Sequence, residues 1–301
     1  MIKLQTNTKI LAPEFEYFAP HTLEEALDLL AKYQDKNTKI LAGGTDLLVK
    51  MKTTNLKLDF LINIKNIPEL NFVTWDDGLK IGAVTSLYQV EKSEEVRTKY
   101  LALYEAIKAM AAPAIRNMGS IAGNLCNASP AADTAPPLMV YGAEVKLVSK
   151  RGERQVAVEN FLIGPGKTVI FSDELLMQID IPALDKNTGS SFLKISRVKA
   201  DLSKINIAVY LKREDKACRD CKIVFGAVAE RPIRAKGAEN ILINQQLTPA
   251  LLTKVAQRAA EEIRPINDVR STAEYRSKVA KVLTEEAVKL AWERAGGELK
   301  I

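Results

Sequence analysis

The segment 115–143, IRNMGSIAGNLCNASPAADTAPPLMVYGA, contains the residue types needed to bind a long ligand with both polar and apolar parts. Small side chains leave backbone N–H groups accessible, and glycine permits dihedral angles that other residues avoid. Hydroxyl, amide and carboxylate groups add directional hydrogen bonds. The alternative interpretation is an ordered Ω-loop followed by a helix that begins at proline. The residues concerned are Gly119, Ser120, Gly123, Asn124, Asn127, Ser129 and Asp133.

A second glycine-rich turn lies in LAGGTDLLV, residues 41–49. Thr38–Leu41 predicts a short strand that leads into Gly43 and Gly44. Such a turn can direct several N–H groups at an anion such as a phosphate, although it is also typical of a tight strand-to-helix connection. The spacing matches neither GxGxxG nor GxxxxGK(S/T), so neither of those nucleotide sites is predicted.

Histidine and cysteine offer little further chemistry. His21 is the only histidine and precedes a predicted helix start, so a histidine base or a histidine-ligated metal elsewhere is not expected. Cys218 and Cys221 have the spacing of half a zinc or iron–sulfur site, but Cys126 is the only other cysteine. Because residues three apart on a strand point to opposite faces, we interpret this pair as incidental.

The composition is that of an ordinary globular protein. Its 301 residues, 47% hydrophobic and 27% charged, predict about two domains. The net charge of +6 comes from interspersed Lys and Arg without a basic block, and aromatic residues make up only 6%, which disfavours a nucleic-acid module. We expect a cytoplasmic protein, since no apolar run reaches the ~20 residues of a membrane span and the N-terminus does not resemble a secretory signal.

Two blocks of secondary structure are predicted to position these residues. The first contains a helix that begins with a capping box at Thr22 and Glu25, and a second helix with Tyr100, Leu103, Tyr104, Ile107 and Met110 on one face. Its strands are predicted at FLINI, LKIGAVT, 144–149, 155–158 and 175–181. Pro182 and the polar residues 185–189 indicate a boundary.

The second block follows that boundary. Strands are predicted at 191–197, 204–212 and 221–228, followed by a helix from Thr248 and another from a capping box at Ser271 and Glu274. Strands followed by helices indicate an α+β domain of ~110 residues.

Four stretches together resemble one family: AGGTDLL, RNMGSIAGNLCNASPAADTAPPL, DELLMQIDIP and FLKISRVKADLSKINIA. They are similar to the FAD-binding medium subunit of the molybdenum hydroxylases, which include xanthine, carbon monoxide and nicotinate dehydrogenases. The resemblance covers nearly the whole chain. It implies a vanillyl-alcohol-oxidase-type FAD-binding domain over residues 1–180, with subdomains of about 1–55 and 56–180. It also implies a C-terminal α+β domain over residues 188–301, here a three-stranded sheet with helices.

The resemblance also implies which residues bind a non-covalent FAD. Residues 42–46 would hold the pyrophosphate, residues 120–124 a second phosphate and the ribityl chain, Asp133 a polar group of the flavin, Leu176 the adenine and Lys194 the isoalloxazine ring. The sequence departs from the family at SIAGN, where relatives often have TIGGN, and at Met110, where a relative has an aromatic residue. The full predicted set is Leu41, Ala42, Gly43, Gly44, Thr45, Asp46, Leu47, Leu48, Met110, Ala111, Ser120, Ile121, Ala122, Gly123, Asn124, Asp133, Leu176 and Lys194.

The implied function is that of an oxidoreductase subunit. Electrons would pass between iron–sulfur clusters of a small partner subunit and an acceptor such as NAD or ferredoxin, with molybdopterin on a large partner subunit, in a heterotrimer. The loop 196–204 is the candidate for acceptor choice. A reductase subunit of the hydroxybenzoyl-CoA type is the first alternative, but its cysteine-rich insertion is missing. A stand-alone flavin oxidase is the second, although this chain lacks a long substrate domain and a histidine placed to link the flavin.

Overall fold

A computed structural model describes residues 14–54 and 56–299. The first layer is a three-stranded parallel sheet in the order β1-β3-β2, flanked by two helices. Because β3 pairs with both β1 and β2, the first layer continues beyond the subdomain boundary predicted near residue 55. The elements are β1 (Glu16–Phe18), α1 (Leu23–Lys32), β2 (Thr38–Leu41), α2 (Leu47–Thr53) and β3 (Phe60–Asn63).

Helix α1 begins where the sequence predicts. The hydroxyl of Thr22 accepts a hydrogen bond from the Glu25 N–H at 3.2 Å. The Glu25 carboxylate accepts from the backbone N–H of His21 at 2.8 Å, so the reciprocal bond reaches one residue further back than in a standard capping box. Ala26 and Leu30 are the buried residues of this helix, and they fix it against the larger core.

The second layer is a five-stranded antiparallel sheet in the order β4-β5-β10-β6-β7, with short helices packed around it. Strand β6 has the bounds that the sequence predicts, and β10 extends the predicted strand by one residue. The elements are β4 (Val73–Trp75), β5 (Gly78–Gly82), α3 (Leu87–Lys92), α4 (Glu94–Thr98), α5 (Leu101–Ala109), α6 (Pro113–Arg116), α7 (Ile121–Asn127), α8 (Ala135–Val140), β6 (Glu144–Ser149), β7 (Gly152–Ala157), α9 (Val158–Phe161), β8 (Leu162–Gly164), β9 (Lys167–Thr168) and β10 (Leu175–Pro182).

The C-terminal domain is a four-stranded antiparallel sheet in the order β11-β12-β13-β14, packed against helices. It has the three predicted strands and adds a two-residue fourth strand, which is too short to show an alternating pattern. The elements are β11 (Thr188–Ile195), β12 (Ile205–Glu214), β13 (Ala217–Gly226), β14 (Ile233–Arg234), α10 (Lys236–Leu242), α11 (Pro249–Glu262) and α12 (Ala273–Arg294).

Two local predictions in this domain were wrong. Helix α12 is capped by Thr272, whose hydroxyl accepts from Tyr275 N–H at 3.2 Å, so the predicted capping box at Ser271 does not form. Cys218 and Cys221 do not point to opposite faces, since both are buried in the same core. The cause is a β-bulge: Cys218 pairs with Arg213 and Asp220 with Lys212, which leaves Arg219 as the extra residue.

Strand β12 contacts both domains, since each of its two faces is buried in a different core. Ala208 and Tyr210 pack into the larger core, which also contains α5, α8 and the five-stranded sheet. Ile207 and Val209 point the other way, into the core made with α11 and α12. The C-terminal sheet therefore lies between its own helices and the first domain, and it can place side chains into the site.

Candidate functional site

The structure brings the two glycine-rich turns into direct contact. A Cβ on Gly43 would lie 2.1 Å from the carbonyl oxygen of Met118 and 2.8 Å from the Cα of Gly119. A Cβ on Gly119 would lie 3.5 Å from Oγ1 of Thr45. Gly44 has φ +75°, a conformation that favours glycine. The turns after β2 and before α7 thus form one continuous surface.

The first turn presents amide groups that no described part of the protein uses. Within residues 14–54 and 56–299, no acceptor receives a hydrogen bond from the backbone N–H of Gly43, Gly44, Thr45 or Asp46. The first three of these residues are half-buried and Asp46 is exposed. Four consecutive amides that have no acceptor among the described residues, in a turn at the start of α2, suit an anionic ligand such as a phosphate group.

The second turn caps α7. The hydroxyl of Ser120 accepts from Gly123 N–H at 3.1 Å, and the amide oxygen of Asn124 accepts from Thr134 Oγ1 at 2.6 Å. Ala122, the departure from the family's glycine, is 4% exposed and lies in the first helical turn. Its Cβ packs into the larger core, so this position has no need for the freedom of glycine.

A buried ion pair lies beside this region. The side-chain amine of Lys194 lies 2.7 Å from Oδ2 of Asp133, and the two side chains are 4% and 5% exposed. Lys194 also donates to the carbonyl of Ala109 at 3.1 Å. Oδ1 of Asp133 accepts from Ser203 at 2.5 Å and from Asn206 at 2.8 Å. The pair joins the end of α5, the segment before α8 and strand β11.

The connection between α5 and α6 is also fixed. The Arg116 guanidinium donates to the carbonyls of Met110 and Ala111 at 3.1 and 2.9 Å, and its Nε lies 3.0 Å from the Glu91 carboxylate. Ala111 has φ 47°, an uncommon value for a residue with a Cβ. Since Ala109 contacts Lys194, the predicted site residues Met110 and Ala111 lie next to the ion pair.

The predicted residues therefore form two groups and one outlier. The two turns meet each other. Asp133 and Lys194 form the ion pair, and Met110 and Ala111 directly follow Ala109, whose carbonyl Lys194 contacts. Leu176 lies in β10, which contacts α7, but its side chain is only 3% exposed and packs in the larger core. Sequence reasoning missed Ser203 and Asn206. The available signal was a single Asn between two isoleucines in the apolar first part of strand β12, residues 205–211.

The donor set fits a flavin dinucleotide. Amides that the described part of the chain leaves without an acceptor, in a turn too tight for a Cβ, suit a pyrophosphate, and a buried cation suits the electron-rich edge of a reduced flavin. The fold and site define an FAD-binding protein with two α+β layers and an added C-terminal domain.

The comparisons with known proteins agree with that class. Residues 13–184 match the family model described as the FAD binding domain in molybdopterin dehydrogenase, and residues 190–291 match the CO dehydrogenase flavoprotein C-terminal domain. The chain is 33% identical to the glyceraldehyde dehydrogenase medium chain of Sulfolobus acidocaldarius, covering 92% of this chain and 98% of that protein. It is 31% identical to the xanthine dehydrogenase FAD-binding subunit of Escherichia coli O157:H7, covering 94% and 98%.

A solved structure shows the same fold. A chain of carbon monoxide dehydrogenase from Hydrogenophaga pseudoflava superimposes with a TM-score of 0.90 at 30% identity, covering 94% of this chain and 98% of that chain. The chain belongs to the family of FAD-binding medium-chain subunits of the molybdenum hydroxylases. The resemblance inferred from the sequence motifs and the α+β fold class are confirmed.

Two further features of the described residues concern metals and membranes. Among residues 14–54 and 56–299, His, Cys, Asp and Glu side chains form no group of three or more that could hold a metal ion. In the same part of the chain, every helix is too short or too polar to cross a lipid bilayer.

Proposed function

We propose that this chain passes electrons between iron–sulfur clusters of a small partner subunit and an external acceptor such as NAD or ferredoxin. In this proposal a large partner subunit carries molybdopterin, and the three chains form a cytoplasmic heterotrimer. Bound FAD supplies redox chemistry that accepts electrons singly or in pairs. The relatives support this role, since they are the medium or FAD-binding chains of dehydrogenases.

The observation that carries the proposal is a run of four amides that lies against the second turn and finds no acceptor in residues 14–54 and 56–299. The N–H groups of Gly43, Gly44, Thr45 and Asp46 would hold the pyrophosphate, and Leu41, Ala42, Leu47 and Leu48 would line the same turn. Ser120, Ile121, Ala122, Gly123 and Asn124 would contact the second phosphate and the ribityl chain. Leu176 would flank the adenine through its backbone, since its side chain packs in the larger core.

Lys194 and Asp133 would adjust the charge at the flavin ring. Lys194 is held by two acceptors at a side-chain exposure of 4%, so its charge acts in a region of low dielectric. Asp133 neutralises part of that charge. A partly neutralised cation would stabilise negative charge on the reduced flavin less strongly than an unpaired cation would, and Met110 and Ala111 would pack beside the ring.

The first experiment purifies the chain and records its absorption spectrum before and after denaturation. We expect the spectrum of bound oxidised flavin, with release of FAD into solution because the attachment is non-covalent. Co-expression with candidate small and large subunits then tests the heterotrimer. A colourless chain that also fails to take up added FAD would overturn the proposed function.

Acceptor choice is proposed to depend on the loop 196–204. This loop follows Lys194 directly and exposes Val198 and Leu202, while Arg197 and Asp201 form an ion pair at 3.1 Å. Exchanging Lys199 and Asp201 reverses two charges in the loop and breaks that pair. We expect this exchange to change the rate of flavin reoxidation by NAD relative to a neutral quinone. If the exchanged variant is reoxidised by NAD and by the quinone at the same rates as the wild type, the loop does not have this role.

A further inference from the structure

We propose that Ser203 and Asn206 are positioning residues for the Asp133–Lys194 pair and thereby set the affinity and reduction potential of bound FAD. This inference rests on the proposed function, since it takes the pair to lie beside the flavin. Ser203 and Asn206 belong to the C-terminal domain, whereas Asp133 belongs to the first domain. The C-terminal domain would therefore adjust a site that the first domain forms.

The two carboxylate oxygens of Asp133 accept hydrogen bonds from different donors. Oδ1 of Asp133 accepts from the Ser203 hydroxyl at 2.5 Å and the Asn206 amide at 2.8 Å. Oδ2 accepts from Lys194 at 2.7 Å. With two neutral donors on Oδ1, the carboxylate plane is fixed and only Oδ2 faces the ammonium. The two donors also spread the negative charge, which limits the pull of Asp133 on Lys194.

Both donors are rigidly held. Ser203 is 0% exposed, and the carbonyl of the next residue, Lys204, accepts from the Arg276 guanidinium at 2.8 Å. Arg276 is 1% exposed and also donates to the carbonyl of Ile266 at 2.7 Å. The segment that carries Ser203 is thus attached to α12 by a buried arginine.

Asn206 is fixed by packing in β12. Its amide nitrogen contacts Ser203 Oγ at 3.2 Å as well as Asp133. Its amide oxygen has no hydrogen-bond partner among the described residues and lies where a Cβ on Gly226 would be 2.2 Å away. An amide buried with half of its capacity unused costs stability. The nitrogen's contact with Asp133 is the feature of this structure that accounts for a polar residue at that position.

The test compares S203A and N206D with the matched control S191A, in the purified full-length chain. Ser191 is also 0% exposed and donates to the carbonyl of Ala287 at 2.8 Å, so S191A removes a buried hydroxyl bond of the same domain away from Asp133. The readouts are the dissociation constant for FAD, the midpoint potential of bound FAD, and the thermal unfolding of the FAD-free chain.

For S203A we expect at least fivefold weaker FAD binding. Lys194 becomes more tightly neutralised, so the preference for reduced over oxidised FAD falls about fivefold, a shift of ~20 mV to more negative potential for a two-electron couple. N206D replaces a donor by an acceptor next to Asp133 and should weaken binding further. S191A should leave the affinity and the potential as in the wild type, even if it lowers the unfolding temperature.

Two results would overturn the inference. Wild-type affinity and potential in whichever of S203A and N206D folds would show that these residues only support the fold. If S191A changes the affinity and the potential as much as S203A does, Ser203 and Asn206 likewise only support the fold. If wild-type protein binds no FAD, the proposed function fails and the inference fails with it, whereas normal wild-type binding with unchanged variants removes the positioning role alone.

Discussion

Gly43 and Met118 lie so close that a Cβ on Gly43 would be 2.1 Å from the Met118 carbonyl oxygen. Real Cβ atoms do not approach an oxygen this closely, and the obstacle is backbone on a turn that also leads into α7. Any larger residue at position 43 must therefore push the two turns apart. The contact between the two turns can therefore be tested by adding a single methyl group at position 43.

G43A should weaken FAD binding by at least tenfold. The added methyl displaces the turn that carries the free amides, so their N–H groups no longer converge on the same point. Titration of FAD into the purified variant, followed by flavin fluorescence, measures the loss. Substitution G164A is the matched control, because a Cβ there meets no atom within 4 Å, and its affinity should equal that of the wild type. Equal affinities in G43A and the wild type would place the pyrophosphate elsewhere.

K194M should destabilise the FAD-free chain by about 3–5 kcal/mol, because it leaves the Asp133 carboxylate buried without its cation. Guanidinium unfolding followed by circular dichroism measures the change. The double substitution D133N/K194M removes both charges and should recover part of the loss. If K194M unfolds at the wild-type denaturant concentration, the ion pair is not the buried structural contact that its 2.7 Å distance indicates.

The turns could be predicted from the sequence because their signals are local. Gly43 and Gly44 begin two residues after the strand Thr38–Leu41 ends, and Ser120 lies three residues before the Gly123 N–H that it accepts from. Strand β6 was also predictable from local signals. Turn residues bound it at both ends, and its observed limits match the prediction. Short-range patterns of this kind determine local structure wherever tertiary contacts do not oppose them.

The polar network around Asp133 could not be predicted, because its members are far apart in sequence. Ser203 and Asn206 lie 70 and 73 residues from Asp133, and only the packing of β12 against the first domain brings them together. The expectation that Cys218 and Cys221 point to opposite faces of a strand was wrong for a local reason. An ideal strand places residues three apart on opposite faces, and a bulge at Arg219 changes that count without any glycine or proline to reveal it.

D173N should make the free energy of unfolding less dependent on pH under acidic conditions. The paired hydrogen bonds from Arg151, at 2.7 Å each, lower the pKa of Asp173 below its usual range. A lowered folded-state pKa contributes stability above the unfolded value of ~3.9, and this contribution is lost as the pH falls through the folded value. The free energy of unfolding should thus depend less on pH below about 4 in D173N than in the wild type.

E274Q serves as the control for that experiment. Glu274 also has a lowered pKa, caused by a hydrogen bond from Lys278, but the two side chains are 77% and 75% exposed. Solvent screens such a pair, so its removal should leave the acid limb almost unchanged. Parallel acid limbs for the wild type and D173N would show that Asp173 is not a source of acid sensitivity.

Glu105 and Arg294 should be energetically coupled across the domain boundary. Glu105 on α5 accepts from Phe192 N–H at 2.9 Å and from the Arg294 guanidinium at 3.1 Å, and Arg294 also donates to the carbonyl of Ser190 at 2.6 Å. The two side chains are 26% and 24% exposed, so the contact is shielded from solvent. A double-mutant cycle of E105Q, R294M and the double variant, measured by chemical unfolding, should give a coupling energy of about 0.5–3 kcal/mol. Strictly additive effects would show that this ion pair does not couple α5 of the first domain to α12.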